Sequence, residues 1–398
     1  MKTNFVKLRW LFTMLLFVTT MIMPTMMLAK SIDLKIPEGD GAGTPYKIGT
    51  AEELYWFAGL VNGTLPGVKK DLSANAILTD DIIVNTGVLD PNKDLVSGND
   101  FIEWIPIGKS SSDDDAYTGT FDGNGHTISG LYFNKSNSWY VGLFGCIGAE
   151  GKISNVGVSD SYFQSSNCPY IGGVCGSNSG ELQNCSNSST VIGKENEYRI
   201  GGVCGYNSGT VKDCKNTGSV RGKETIGGVC GNNSGTIKNC YNTASVSGQY
   251  SVGGVCGDNY EGPITNCYYL SGTVADGKGG IGGKDDENGK AVEMSKDRFK
   301  SGEVAWLLNG SKSVSTEEST LAWYQKLGEN ADAYPVLKST DHNTVYKAPL
   351  FSCDGTTRIG EYANKPEGDK LSHNYQMAEK ADEGTSNLYS EECAICHN

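Results

Sequence analysis

The sequence predicts an all-β chain: a parallel β-helix (solenoid) with a short N-terminal capping helix and a small mixed α+β C-terminal cap. Three observations carry this. Four segments nearly superimpose: IGGVCGSNSGELQNCSN from Ile171, IGGVCGYNSGTVKDCKN from Ile200, IGGVCGNNSGTIKNCYN from Ile226 and VGGVCGDNYEGPITNCYY from Val252. Their first residues lie 29, 26 and 26 apart, a period that marks a solenoid or array. Within each copy, short runs around Val, Ile and Cys are bounded by Gly, Asn and Ser, which reads as strands and turns rather than helix. The 53 glycines follow no collagen period and suit a turn-rich β-protein.

A copy of this length holds three short strands and fits one coil, with coils stacked about 4.8 Å apart. Equivalent residues then form ladders: Val174, Val203, Val229 and Val255; Cys175, Cys204, Cys230 and Cys256; Cys185, Cys214, Cys240 and Cys267. Asn178, Asn207 and Asn233 precede Ser-Gly at a turn, where Asn tolerates left-handed backbone and a stacked amide bonds to the next rung. The cysteines admit two structural readings. Stacked rungs bring Cα atoms within disulfide range, whereas a buried thiol also serves as a small hydrophobe.

At these residues the chain resembles the GLUG-motif repeats, whose core is approximately GGLVG-x-N-x-G-x-I-x-NC and is written here GGVCGNNSGTIKNC from Gly227. The resemblance covers about a quarter of the chain closely. It implies a right-handed β-helix and a secreted or cell-surface bacterial protein, since such repeats occur in adhesins and in parts of immunoglobulin A peptidases. Cys stands where the family more often has Val.

Taken in order, residues 1–29 read as a secretory signal peptide: Lys2, Lys7 and Arg9, then the apolar Leu11–Ile22, then Leu28-Ala29 as a cleavage site. No transmembrane segment is expected after cleavage. Residues 30–71 form a leader and the capping helix, opened by Thr50-Ala-Glu-Glu53 as a capping box, with Leu54, Phe57, Ala58 and Val61 on one face. The β-helix spans 72–270 and is clearest from 141, where VGLFG and KISNV form a degenerate copy 30 residues ahead of Ile171. A Gly-, Asp- and Lys-rich linker follows at 271–290, then a C-terminal cap at 291–347 and a Cys/His tail at 348–398. The cap segment also resembles the extension found behind GLUG repeats.

The tail carries the sharpest chemical signal. Cys353, His373, Cys393 and Cys396 are spaced 20, 20 and 3 apart and supply four zinc-type ligands. The same end spells Cys393-Ala-Ile-Cys396-His397, a c-type haem attachment pattern with Met377 as second axial candidate. A disulfide is the third reading. Elsewhere there is no His-Glu-x-x-His, Gly-x-Ser-x-Gly or Walker-type loop. His126 reads as a turn residue, and Asp113–Asp115 as a solvated loop before a calcium site. Tyr198, Tyr206, Tyr241, Tyr250, Tyr268 and Tyr269 offer a sugar-stacking surface, with packing between rungs as the alternative.

A net charge of −13 argues against nucleic acid and anionic membranes as partners. The function expected is an exported, cell-surface, non-catalytic binding or adhesion protein, its partner a host or matrix protein or a glycan. The alternative is a carbohydrate-active β-helix enzyme, a polysaccharide lyase or glycosidase, which would need clustered acids or bases on one exposed face.

Overall fold

A computed structural model describes residues 32–337, apart from 99, 111–114, 168, 195–197, 276–277, 283–289, 311–320 and 326–330. The signal peptide at 1–29 and the tail at 348–398 lie outside the described residues. Among those described, the fold is a parallel β-solenoid. Its strands stack in two eight-stranded and three five-stranded sheets, and the one antiparallel pair is Trp323–Tyr324 with Val336–Leu337.

A coil holds five strands, not the three expected. In the coil closing the third copy these are Glu224–Gly227, Cys230–Asn233, Thr236–Lys238, Tyr241–Asn242 and Val246–Ser247. Two corners account for the difference. The Gly-Gly pair splits the first run, because a Cβ at Gly227 would lie 1.9 Å from Cys230 O and one at Gly228 2.4 Å from Asn242 Cγ. A left-handed residue splits the second run: Asn184, Asp213, Asn239 and Asn266 have φ of 53°, 52°, 54° and 50°, a conformation Asn and Asp tolerate best after Gly.

Register follows the repeat. Cys175, Cys204, Cys230 and Cys256 pair in succession, as do Leu182, Val211, Ile237 and Ile264. The valine ladder and both cysteine ladders are fully buried. Asn178, Asn207 and Asn233 are buried strand ends and not left-handed turn residues as expected. Each amide nevertheless bonds to the next rung: Asn178 Nδ2 to Asn207 Oδ1 at 2.9 Å, then 2.8 Å to Asn233 and 2.8 Å to Asn259. A second inward ladder runs Asn187 to Asn216 to Asn242 at 2.8 Å per step.

Helix α1 (Ala51–Asn62) closes the N-terminal end. Thr50 accepts from Glu53 N and Glu53 Oε2 accepts from Gly49 N at 2.9 Å, the reciprocal capping box. Gly63 ends the helix at φ 64°. Leu54, Phe57 and Val61 are fully buried, each contributing roughly 1.5–3 kcal/mol by burial. Phe57 packs on Tyr117 and Phe121, the first aromatic layer of the core.

Strand pairing continues on both sides of 72–270. Tyr46–Ile48 pairs with Ala76–Leu78, and Ala291–Met294 with Cys267–Leu270. Helices α2 (Lys296–Lys300) and α3 (Glu303–Leu308) and the small hairpin then build a second core with Tyr241, Tyr268, Phe299 and Trp323. Tyr241 and Tyr268 project outward from their sheet, so this cap covers a flank of the last coils.

An outer ladder stands at the left-handed corner. Asn155 donates to Asp122, Asn184 to Asn155, Asn239 to Asp213 and Asn266 to Asn239, at 2.9 to 3.3 Å. Asp213 breaks the chain of donors. It is acceptor-only when ionised, it occupies the rung after Asn184 by register, and the buried Asn184 Oδ1 has no partner. Burial raises the Asp213 carboxyl above the usual aspartate range, against the Asn239 amide and Lys212, whose Nζ lies 3.4 Å away, with Cys214 beneath.

Two predictions follow from the ladders. Asn207→Ala strands its neighbours' buried amide groups and lowers unfolding free energy by about 1–3 kcal/mol, read by chemical denaturation. Asp213→Asn supplies the missing donor and stabilises the fold at neutral pH. The native carboxyl holds its proton to higher pH than the unfolded chain. Its contribution to stability therefore falls as pH rises from the ordinary aspartate value through the raised one. Denaturation midpoints measured across that window lose this slope in the variant.

Candidate functional site

The metal-ligand candidates Cys353, His373, Cys393 and Cys396, and His397 of the haem alternative, all lie outside the described residues. Among the described residues no three His, Cys, Asp or Glu side chains converge as a metal site. Asp113 also lies outside them, while Asp115 is paired with Lys70 at 2.6 Å. His126 sits in a turn, its N–H donating to Gly123 O and its Nδ1 3.5 Å from Asp81.

The described cysteines are free and buried. In the first ladder each Sγ points at the carbonyl two residues on: Cys175 to Ser177 O at 2.9 Å, Cys204 to Tyr206 O at 3.0 Å, Cys230 to Asn232 O at 3.1 Å. In the second, Cys185, Cys214 and Cys240 turn to the carbonyl two residues before, at 3.2 Å each. Burial pushes Cys175, Cys230 and Cys240 well above the ordinary thiol range, and Cys146 up to about 12. Against the same burial, the S–H groups of neighbouring rungs hold Cys204 and Cys214 below that range; the ladders are packing because every described sulfur is buried within the core. We expect a water-soluble disulfide reagent to leave the nine described cysteines unmodified in the folded protein and to titrate them after unfolding.

The aromatic candidates divide sharply. Tyr241, Tyr268 and Tyr269 are buried, the first two under the C-terminal cap and Tyr269 against Gly254, so they offer no sugar a surface. Tyr198, Tyr250 and Tyr260 are exposed singly. Tyr206 joins a column. Tyr140 and Tyr170, in register on adjacent rungs, stack at 5.0 Å with planes 5° apart. Arg199, one rung further, caps Tyr170 at 5.2 Å and reaches Tyr206 at 5.9 Å. Tyr206 Oη is 2.9 Å from Ser234 Oγ. The rings within the column cover one another, as the packing alternative has it.

At the head of the column lies a cleft of about 630 Å³. Ile105, Lys109, Phe133, Asn137, Trp139 and Tyr140 are among its lining residues. Tyr140–Val141 is the terminal strand of its sheet among the described residues. Trp139 is 66% exposed and Ile105 48%. Lys109 Nζ donates to Asn62 O at 2.7 Å, which ties the cleft wall to the end of α1.

The sequence reading passed over this cleft. A signal was present: the residue before the column position is Trp139 in the degenerate copy, but Pro169, Tyr198, Glu224 and Tyr250 in the others. The partners from 105–109 come from a different coil and leave no trace in the repeat.

The GLUG motif model matches residues 196–221 and 222–247. The chain carries GLUG-motif repeats. Both matched segments lie within the laddered coils, so the motif's Gly-Gly, Asn and Cys positions are the corner, the amide ladder and the thiol ladders described above. Over 84 residues the chain is 38% identical to halomucin of Haloquadratum walsbyi, covering 21% of this chain and 1% of halomucin. Over 78 residues it is 33% identical to a candidate Gly-rich membrane protein of Evansella cellulosilytica, covering 19% of this chain and 9% of that protein. The chain thus spans less than a tenth of the length of either curated relative. The crystal structure of a candidate immunoglobulin A1 protease from Bacteroides ovatus aligns with a TM-score of 0.46 at 18% identity, covering 77% of this chain and 95% of that one.

Proposed function

We propose that this chain is an exported, surface-displayed β-solenoid that binds a partner and leaves it chemically unchanged. The observation that carries the reading is the cleft at the head of the tyrosine column. It is lined by aromatic, aliphatic, amide and hydroxyl groups with one lysine. Glycoside cleavage calls for a pair of carboxyl groups across the scissile bond, and among the described residues that line the cleft none is a carboxylate. A relative named as a membrane protein supports a place at the cell surface, as does the signal-like start at Lys2–Ala29. The solenoid supplies a rigid, regular support, and a repeat scaffold of this kind typically serves recognition.

The partner is a host or matrix protein or a glycan. The test incubates the full chain with a panel of glycans and matrix proteins and weighs what is retained by mass spectrometry. Retained, intact material is expected. Shortened glycan overturns the reading in favour of a carbohydrate-active enzyme, and a panel that is not retained at all overturns it outright.

A further inference from the structure

We propose that residues 88–96 form a hinged strap that lifts off the flank of the solenoid and uncovers a strip of tyrosine, amide and hydroxyl groups, with ionic strength setting how often it lifts. The inference stands apart from the surface-binding reading.

The strap is an excursion from the first coil, and it is stiff in itself. Leu89 and Leu95 bridge antiparallel, and Val96 N donates to Val88 O at 3.0 Å. The tip is wound on Asp90, whose Oδ1 accepts from Asn92 N at 2.8 Å and from Asp94 N at 2.9 Å. Its base is fixed by the buried Asn85, which donates to Ile102 O at 2.9 Å and Gly130 O at 2.8 Å and accepts from Ile102 N at 2.8 Å. Gly87 and Gly98 stand on the two limbs between, at φ of 65° and 83°. A Cβ at either would meet nothing within 4 Å, so close approach does not call for glycine there and backbone freedom does. A stiff body, a fixed base and a glycine on each limb make a hinge.

The strap crosses the outer face of the sheet built from Tyr132–Ser136, Tyr162–Ser166, Thr190–Gly193, Val220–Arg221 and Val246–Ser247. Its tip meets three successive coils. Lys93 Nζ lies 3.2 Å from Asp160, Lys93 O accepts from Thr190 Oγ1 at 2.7 Å, and Asp94 Oδ1 accepts from Arg221 Nη2 at 2.8 Å. Outward side chains are buried at the rungs beneath it and not beyond. Tyr162, Gln164 and Thr190 are buried, Ser219 and Arg221 half-buried, and Ser245 and Ser247 exposed. Burial raises the Tyr162 phenol, on which Arg221 and Asp94 act with opposite signs, so the tip sits close over that ring.

The ties at the tip are weak. The four paired side chains keep between 42% and 66% of their surface in water, and an exposed ion pair shifts an equilibrium by about fivefold at most. Arg221 is only half used, since its Nε is buried without a partner while Nη2 meets Asp94. Val88 is the apolar hold: it is buried, yet it does not belong to the solenoid core. Burying one valine favours the shut form by roughly tenfold to a hundredfold. The shut form therefore predominates, and losing both ion pairs raises the open fraction severalfold.

The test is hydroxyl-radical footprinting of the full chain, read by mass spectrometry at Tyr162, which the shut strap leaves 6% exposed. With both pairs screened at about 1 M salt, modification of Tyr162 is expected to rise about threefold or more. Lys93→Ala combined with Asp94→Ala should raise it as far at low salt and abolish the response to added salt. Tyr241, fully buried under the C-terminal cap, should stay unmodified throughout, and the variant should melt with the parent because the altered side chains are exposed. Modification of Tyr162 that ignores both salt and the double variant overturns the strap. A rise at Tyr162 matched by one at Tyr241 reports general loosening of the solenoid and overturns it as well.

Discussion

The inward asparagine ladder is the constraint on which the other features depend. Asn178, Asn207 and Asn233 sit where water does not reach, with Asn259 half-buried at the end of the ladder, and each amide is satisfied by the rung beside it and by its own turn. A buried amide without those partners would cost more than the hydrogen bond itself contributes. The ladder therefore fixes which residue stacks on which. Changes in coil length fall in turns and leave the ladder register intact on either side. The three extra residues of the first copy lie between Thr190–Gly193 and Ile200–Gly201, and Ile171 still pairs with Ile200.

The rest of the motif serves that arrangement. Glycines at 173, 202 and 228 leave room for the second asparagine ladder, since a Cβ at any of them would lie 2.2 to 2.4 Å from an amide atom. Cysteine stands where the motif more often has valine for a related reason. Its volume fills the core as a small hydrophobe, and its S–H, a weak donor, reaches a carbonyl that a methyl group could not satisfy. The thiols are thus part of the polar accounting of the core. Next to Asp213 that accounting fails, because Asn184 Oδ1 is buried without a donor.

Regularity also decides where a ligand site can exist. Within a perfect stack each rung is covered by its neighbours: the tyrosine rings cover one another, the amides bond to one another, and little is left to present. The cleft arises where the repeat is broken, at the terminal strand beside the capping helix, with walls from segments that do not obey the repeat. The paired tyrosines at the far end, Tyr241 and Tyr268, meet another fate. They anchor the C-terminal cap, with Tyr241 Oη donating to Pro335 O.

By itself the sequence determined the solenoid, its ladders of Val and Cys, the capping box at Thr50–Glu53 and the GLUG motif. All of these are local or periodic, and a period is visible in a string. Tertiary structure alone decided the rest. It split each coil at the Gly-Gly and left-handed corners, because close approach between coils is not written in any one of them. It buried Tyr241, Tyr268 and Tyr269 and left Trp139 in water, since exposure depends on which segment packs alongside. It also brought Lys109 and Ile105 to Tyr140, because their meeting is set by how α1 and the first coils close the end of the solenoid and not by any spacing along the chain.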